Sequence, residues 1–194
     1  MRVPAVAGRD EWRLPWVPVE EEYRFAGADG RRSLPDHVRP GLDEGCASCS
    51  FWADSFDGVV THLAHRDVTL VCVSRAAYPK LDGSRARMGW SFPWYSSSGS
   101  EFNVDFGVSF TPEQQRTGAA YDFGHLDHPP GEASGISAFA LEGDRVFHTY
   151  STYSRGLDPI NSGYQLLDLA PKGRDEEALD WPMAWLRRHD AYGD

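Results

Sequence analysis

Cys46-Ala47-Ser48-Cys49-Ser50-Phe51-Trp52 opens the most strongly periodic run of the chain, and Val68-Thr69-Leu70-Val71-Cys72-Val73-Ser74 closes it. Behind the two cysteines, Trp52, Phe56, Val59, Val60 and Leu63 recur at helical spacing, an apolar stripe that predicts one helix running to about His65. Val68 to Ser74 is short, β-branched and nearly all apolar, which predicts a central parallel strand buried on both faces. A dithiol at the head of a helix that feeds such a strand is an α/β arrangement.

Working outward, the chain up to Gly45 carries Pro4, Pro15, Pro18, Pro35 and Pro40 and no long periodic run. Loop is expected there, with a short extended piece at Glu22 to Phe25 and a turn at Asp29-Gly30. Downstream, Tyr78, Leu81 and Met88 predict a helix from about Pro79 to Gly89, followed by a strand near Ser91 to Ser96. Thr111-Pro112-Glu113-Gln114 is a capping box with proline at the first helical position. Ile136 to Glu142 and Arg145 to Tyr153 read as an antiparallel hairpin across Gly143-Asp144. Asp158-Pro159 can start a short helix holding Ile160, Tyr164 and Leu167, and Asp180 can cap a last one holding Trp185 and Leu186.

The composition agrees with a folded domain. The chain has 194 residues, 41% hydrophobic and 25% charged, enough to bury one core without disulfide staples. With 19 basic against 29 acidic side chains the formal net charge is −10, which disfavours nucleic acid and anionic membrane surfaces as partners. Arg31-Arg32 and Arg187-Arg188 are the nearest thing to basic patches, and pairs are too few. No stretch reaches the length of a transmembrane span, and Met1 to Trp12 lacks the apolar centre of a secretion signal. Three cysteines, Cys46, Cys49 and Cys72, do not make a secreted disulfide framework. A cytoplasmic protein is expected.

The Cys-x-x-Cys is the feature that speaks of chemistry. A helix start offers unpaired N–H groups and a positive dipole end, both of which favour a thiolate at Cys46. Such positions bring a thiol from ~8.5 down to ~3.5–7.5. Cys49, one turn later, can resolve a mixed disulfide by attacking the sulfur of Cys46. A pair of purely structural thiols is the bland alternative. Zinc is another, since Cys46, Cys49, His62 and His65 approach a finger spacing. On one continuous helix, however, His62 would stand roughly 18 Å along the axis from Cys49, too far for zinc bonds of ~2.0–2.3 Å. No metal and no cofactor is therefore expected. Cys72 reads as a small hydrophobe in the buried strand, and the aromatic runs as core rather than substrate groove.

Gly45 to Phe56 (Gly-Cys-Ala-Ser-Cys-Ser-Phe-Trp-Ala-Asp-Ser-Phe), with Ser74-Arg75-Ala76, Arg87-Met88-Gly89-Trp90, Phe102-Asn103-Val104-Asp105-Phe106 and Tyr150 to Leu157, carries a resemblance. From about Glu22 to Tyr192 the chain resembles a bacterial thioredoxin-like family of dithiol-disulfide oxidoreductases related to the alkyl hydroperoxide reductase and thiol-specific antioxidant (peroxiredoxin) proteins. The resemblance implies a thioredoxin-like sandwich with a mixed central sheet over 22–194, residues 1–21 being an extension that is mostly loop. It implies that Cys46 is the nucleophile and Cys49 the resolving thiol.

The chain departs from that pattern twice. Between Ser33-Leu34-Pro35-Asp36 and the dithiol only His37 to Gly45 remains, so the strand that normally precedes the Cys-x-x-Cys is expected to be lacking. Ser134-Gly135 stands ahead of Ile136 where thioredoxins place a cis proline. The function expected is thiol-disulfide oxidoreductase, acting on a protein or small-molecule disulfide and re-reduced by a thiol. The alternatives are a peroxiredoxin-like thiol peroxidase, with Arg75 or Arg155 as the donor a peroxide needs, and a non-catalytic thioredoxin-like binding module.

Overall fold

In a computed structural model of the chain, residues 14–19, 46–127, 129–142 and 145–193 are described. The elements in order are β1 (Leu14–Val19), α1 (Ala47–Asp57), α2 (Val60–Ala64), β2 (Val68–Leu70), β3 (Cys72–Ser74), α3 (Tyr78–Met88), β4 (Trp94–Ser96), α4 (Phe102–Asp105) and α5 (Pro112–Thr117). There follow β5 (Ala119–Tyr121), β6 (Gly124–Leu126), β7 (Gly135–Glu142), β8 (Arg145–Tyr153), a 3-10 turn over Ser154–Ile160, and α6 (Ser162–Leu169).

The main sheet runs β4-β3-β1-β7-β8, with β2 beside β1. Leu14 faces Val68 and Val19 faces Val73 in parallel register, so β2 and β3 are one strand path broken only at Val71. β7 pairs antiparallel with both β1 and β8. A parallel β-α-β unit joined to an antiparallel hairpin is the thioredoxin-like α/β sandwich that the resemblance implies. The run Val68 to Ser74 is apolar on both faces because both are covered. Leu70 and Cys72 enter the core with Trp52, Phe56, Phe92, Ile136 and Tyr164, while Val71 and Val73 pack with Val108 and Phe139.

The strand read as lacking between Ser33 and Cys46 falls on residues outside those described. Its place in the sheet, between β3 and β7, is held by β1. Leu14–Val19, inside the stretch 1–21 read as mostly loop, is thus an interior strand. Pro15 and Pro18 concealed it, because proline cannot donate to a ladder. Their spacing makes them tolerable: successive residues point their N–H groups to opposite sides of a strand, so each neighbouring ladder loses one donor rather than one ladder losing two.

Three helix readings are corrected, the smallest being that Asp158, Pro159 and Ile160 belong to the 3-10 turn while α6 is capped by Asn161. The stripe from Trp52 to Leu63 belongs to two helices, α1 ending at Gly58 and α2 starting after Val59. At the break the Val59 N–H bonds the Phe56 carbonyl and Val59 is exposed, while Val60 and Leu63 still reach the core. Asp180 caps no helix: Met183 has φ 74° and gives its N–H to the Glu176 carboxylate, which stops helical propagation. Trp185 and Leu186 nevertheless pack on the core. Tyr78 is half exposed, unlike Leu81 and Met88 on the same helix. The capping box at Thr111 and Gln114, the left-handed Gly89 ending α3, and the hairpin, with a register shift after Ala138, are present.

Removing residues 1–19 should abolish cooperative urea unfolding, since β3 and β7 lose their shared partner; a truncated chain that unfolds with the full-length midpoint would contradict an interior β1. Trp52→Ala should cost about 3–5 kcal/mol of stability in the same assay.

Candidate active site

Helix α1 carries Cys49, Trp52 and Phe56 at i, i+3 and i+7, on one face. These three form one wall of a small, mostly apolar cleft. Ser134, Gly135 and Ile136 at the start of β7 form the other, and Leu157 closes the end.

Cys46 is the residue just before α1, with φ −59° and ψ 131°. Its carbonyl accepts from the Ser50 N–H at 3.0 Å and from the Ser50 hydroxyl at 2.8 Å, which fixes its backbone. The thiol is brought down to about 7, chiefly by the hydrogen bond that the Cys49 thiol donates to its sulfur. Burial opposes the shift, and the N–H groups of Cys49 and Ser48 and the Ser48 hydroxyl assist it. Donors of this kind favour the thiolate over the neutral thiol. Both sulfurs are half-buried and unbridged. Cys72 is fully buried in β3, within the core.

The other candidates of the sequence reading lie elsewhere. His62 and His65 are exposed, on α2 and at its end. Among the described residues no three His, Cys, Asp or Glu side chains gather to hold a metal. Arg75 pairs with Glu132 at 2.8 Å and Arg155 with Asp158 at 3.3 Å, and neither borders the cleft.

Ser134-Gly135, singled out as standing in for a cis proline, does lie across the cleft from Cys49, and no cis peptide occurs among the described residues. Glycine is required there by close packing: a Cβ would come within 2.7 Å of the Tyr153 ring and 3.1 Å of Val108. The Ser134 carbonyl accepts from the Tyr121 hydroxyl at 3.0 Å, and burial pushes Tyr121 up to about 12, so it remains a donor at neutral pH. Sequence reasoning missed the parts of Ser48, Tyr121 and Leu157. The helical spacing of Trp52 and Phe56 behind the dithiol and the departure from proline at Ser134-Gly135 were the signals available in the sequence.

The sheet order and a Cys-x-x-Cys at the head of α1 define a thioredoxin-like domain. Within that class the chain belongs to the family described as "Bacterial protein of unknown function (DUF899)", whose model matches residues 5–192. No curated protein matches it. It is similar to solved peroxiredoxins. One is a mutant of Xylella fastidiosa PrxQ, at 14% identity and TM-score 0.40 over 79% of this chain and 77% of that one. Another is a mutant of Xanthomonas campestris peroxiredoxin Q, at 13% and 0.42 over 82% and 79%. A third is the peroxidoxin BcpB of Mycobacterium tuberculosis, at 12% and 0.41 over 79% of each. At such identities the chemistry has to be read from the dithiol itself. Among the described residues no helix is long and apolar enough to cross a membrane.

Alkylation of Cys46 by iodoacetamide, followed by mass spectrometry, should rise with pH through a midpoint of about 7. Ser48→Ala should move that midpoint upward by removing a donor to the anion; an ordinary thiol midpoint of ~8.5 in the unaltered protein would contradict the geometry.

Proposed function

We propose that the protein is a thiol-disulfide oxidoreductase in which Cys46 attacks and Cys49 resolves. The observation that carries this reading is the hydrogen bond from the Cys49 thiol to the Cys46 sulfur, which with the neighbouring amides brings Cys46 to about 7. An attacking thiol is most effective when it ionises near ambient pH, where both the thiolate fraction and its nucleophilicity are substantial.

The Cys46 thiolate attacks one sulfur of a substrate disulfide. That S–S bond breaks, the departing sulfur takes a proton from solvent, and Cys46 is left in a mixed disulfide. Cys49 loses its proton and attacks the Cys46 sulfur, releasing the second substrate thiol and leaving a Cys46–Cys49 disulfide. A thiol reductant then returns the dithiol. The substrate would be a protein or small-molecule disulfide, the compartment the cytoplasm, and no cofactor takes part.

Disulfide exchange is favoured over peroxide reduction by the arginines. Peroxide cleavage needs charged or polar donors aimed at the developing oxyanion. Arg75 and Arg155 are engaged by Glu132 and Asp158 instead.

Mild oxidation should yield one intramolecular disulfide between Cys46 and Cys49 with Cys72 still reduced, read by mass-spectrometric thiol counting. Cys49→Ser should accumulate a mixed disulfide at Cys46, and Cys46→Ser should accumulate none. Three free thiols after oxidation would overturn the proposal. Oxidation of Cys46 by hydrogen peroxide far faster than a free thiol, and lost in Arg75→Ala or Arg155→Ala, would make the protein a peroxidase.

A further inference from the structure

Ser50 spends a buried hydroxyl on the start of its own helix. It is 3% exposed, and its Oγ donates to the Cys46 carbonyl at 2.8 Å, beside the Ser50 N–H, which donates to the same oxygen at 3.0 Å. Helix formation does not ask for this. Serine is a poorer helix former than alanine, and a hydroxyl bonded back to the carbonyl four residues earlier slightly destabilises a helix and often bends it. Ser55 makes a similar return bond to the Phe51 carbonyl at 3.3 Å, but its hydroxyl also meets Ser162 and so ties α1 to α6. The bond from Ser50 to Cys46 joins no second element.

The acceptor is what sets Ser50 apart. Cys46 stands just before α1 with ψ 131°, outside the helical range. Rotation about that bond moves the Cys46 carbonyl relative to its side chain, so an oxygen held by the helix fixes where the sulfur stands relative to the helix start. The placement matters because the donors that favour the thiolate act at short range: the Cys49 thiol, the Cys49 and Ser48 N–H groups and the Ser48 hydroxyl. Hydrogen bonds weaken steeply with distance and angle, and a sulfur that swings away loses these donors together. Helix ends fray, and the serine hydroxyl adds a second bond to the oxygen that a single backbone bond would otherwise hold.

Resting on the oxidoreductase reading, we propose that Ser50 is a positioning residue for the attacking thiol: its hydroxyl holds the Cys46 carbonyl, and through it the Cys46 side chain, in the setting from which Cys46 reacts. The role requires no contact with substrate and no transfer of the serine proton. Its effect falls on the ionisation of Cys46.

Two variants of the full chain test this. In Ser50→Ala the pH of half-maximal iodoacetamide alkylation at Cys46 should rise by about half a unit, the lower end of what one neutral hydrogen bond is worth, since the bond lost is one step removed from the sulfur. Ser50→Thr keeps a hydroxyl able to reach the carbonyl four residues earlier, and should keep the midpoint. Attack on 5,5′-dithiobis(2-nitrobenzoate) reads the same effect as a rate, through the first coloured thiolate released. At about pH 6 this release should slow roughly twofold in Ser50→Ala, the loss of thiolate being partly offset by the greater nucleophilicity of a more basic thiol. At about pH 9, where Cys46 is ionised in both proteins, it should be no slower.

An unmoved midpoint in Ser50→Ala, a midpoint that rises as far in Ser50→Thr, or a first release slowed equally at both pH values would each overturn the role of Ser50, the last being the mark of a merely structural loss. If Ser50→Ala does not fold, the Ser50→Thr midpoint decides: retention at about 7 supports the role and a rise overturns it. A first release from the unaltered protein no faster than that of a free thiol would instead sink the oxidoreductase reading, and the alkylation midpoints would then decide on Ser50 alone.

Discussion

The seating of Trp52 determines where the dithiol stands. Its ring is 5% exposed and meets Phe51 and Tyr164 edge-on at 6.0 and 5.9 Å, while its Nε1 donates to the Leu157 carbonyl at 3.2 Å inside the core. A buried indole N–H without such an acceptor is costly, so this bond helps to set the rotation of α1 about its axis. Cys49 lies one turn earlier on the same face and is thereby carried over the start of β7. The acceptor belongs to Leu157, which also closes the cleft, so helix position and cleft shape depend on each other.

The segment after α6 braces this arrangement from behind, although it forms no helix. The Glu176 Oε1 accepts from the Tyr164 hydroxyl and the Trp185 Nε1, both at 2.7 Å, and from the Met183 N–H at 2.9 Å. Arg174 lies 3.9 Å above the Tyr164 ring and pairs with Asp168 and Asp158. On the far side of α1, Asp54 accepts from the Trp90 Nε1 at 2.7 Å and meets the His189 Nδ1 at 2.8 Å. Carboxylates here satisfy the polar groups of aromatic side chains packed on the core.

What the sequence revealed and what it concealed follow from the range of the interactions. The strand path Val68 to Ser74, the capping box at Thr111 and the hairpin at Ile136 to Tyr153 are local patterns of side-chain period and turn chemistry, and they were legible. β1 was not, because its identity as a strand comes from neighbours distant in the chain, β3 and β7, while its local signal, two prolines in six residues, points to loop. The end of α1 at Gly58 was overlooked because Val60 and Leu63 keep the apolar stripe going after the helix has broken. In the site, the dithiol was legible from spacing alone. The Ser134 wall was partly so, since Ser134-Gly135 was conspicuous only as a departure from proline, and its contact with Tyr121 leaves no trace in local sequence.

The donors that lower Cys46 are neutral. The largest is the Cys49 thiol, then two backbone amides and the Ser48 hydroxyl, and no cation figures among the causes. Short-range neutral donors are little affected by salt, unlike a lysine or arginine partner. They also suit a chain of net charge −10, in which further acidity has to be stabilised at close range. The choice of Cys49 as principal donor has a consequence for order. Its proton supports the Cys46 anion only while Cys46 is free, and the two sulfurs titrate as a pair. In the exchange proposed above, a Cys46 that carries substrate would no longer be an anion, the hydrogen bond would have lost its acceptor, and the Cys49 proton could leave. On the proposed mechanism, the same bond that lowers the first thiol therefore holds the second in reserve until the first has reacted.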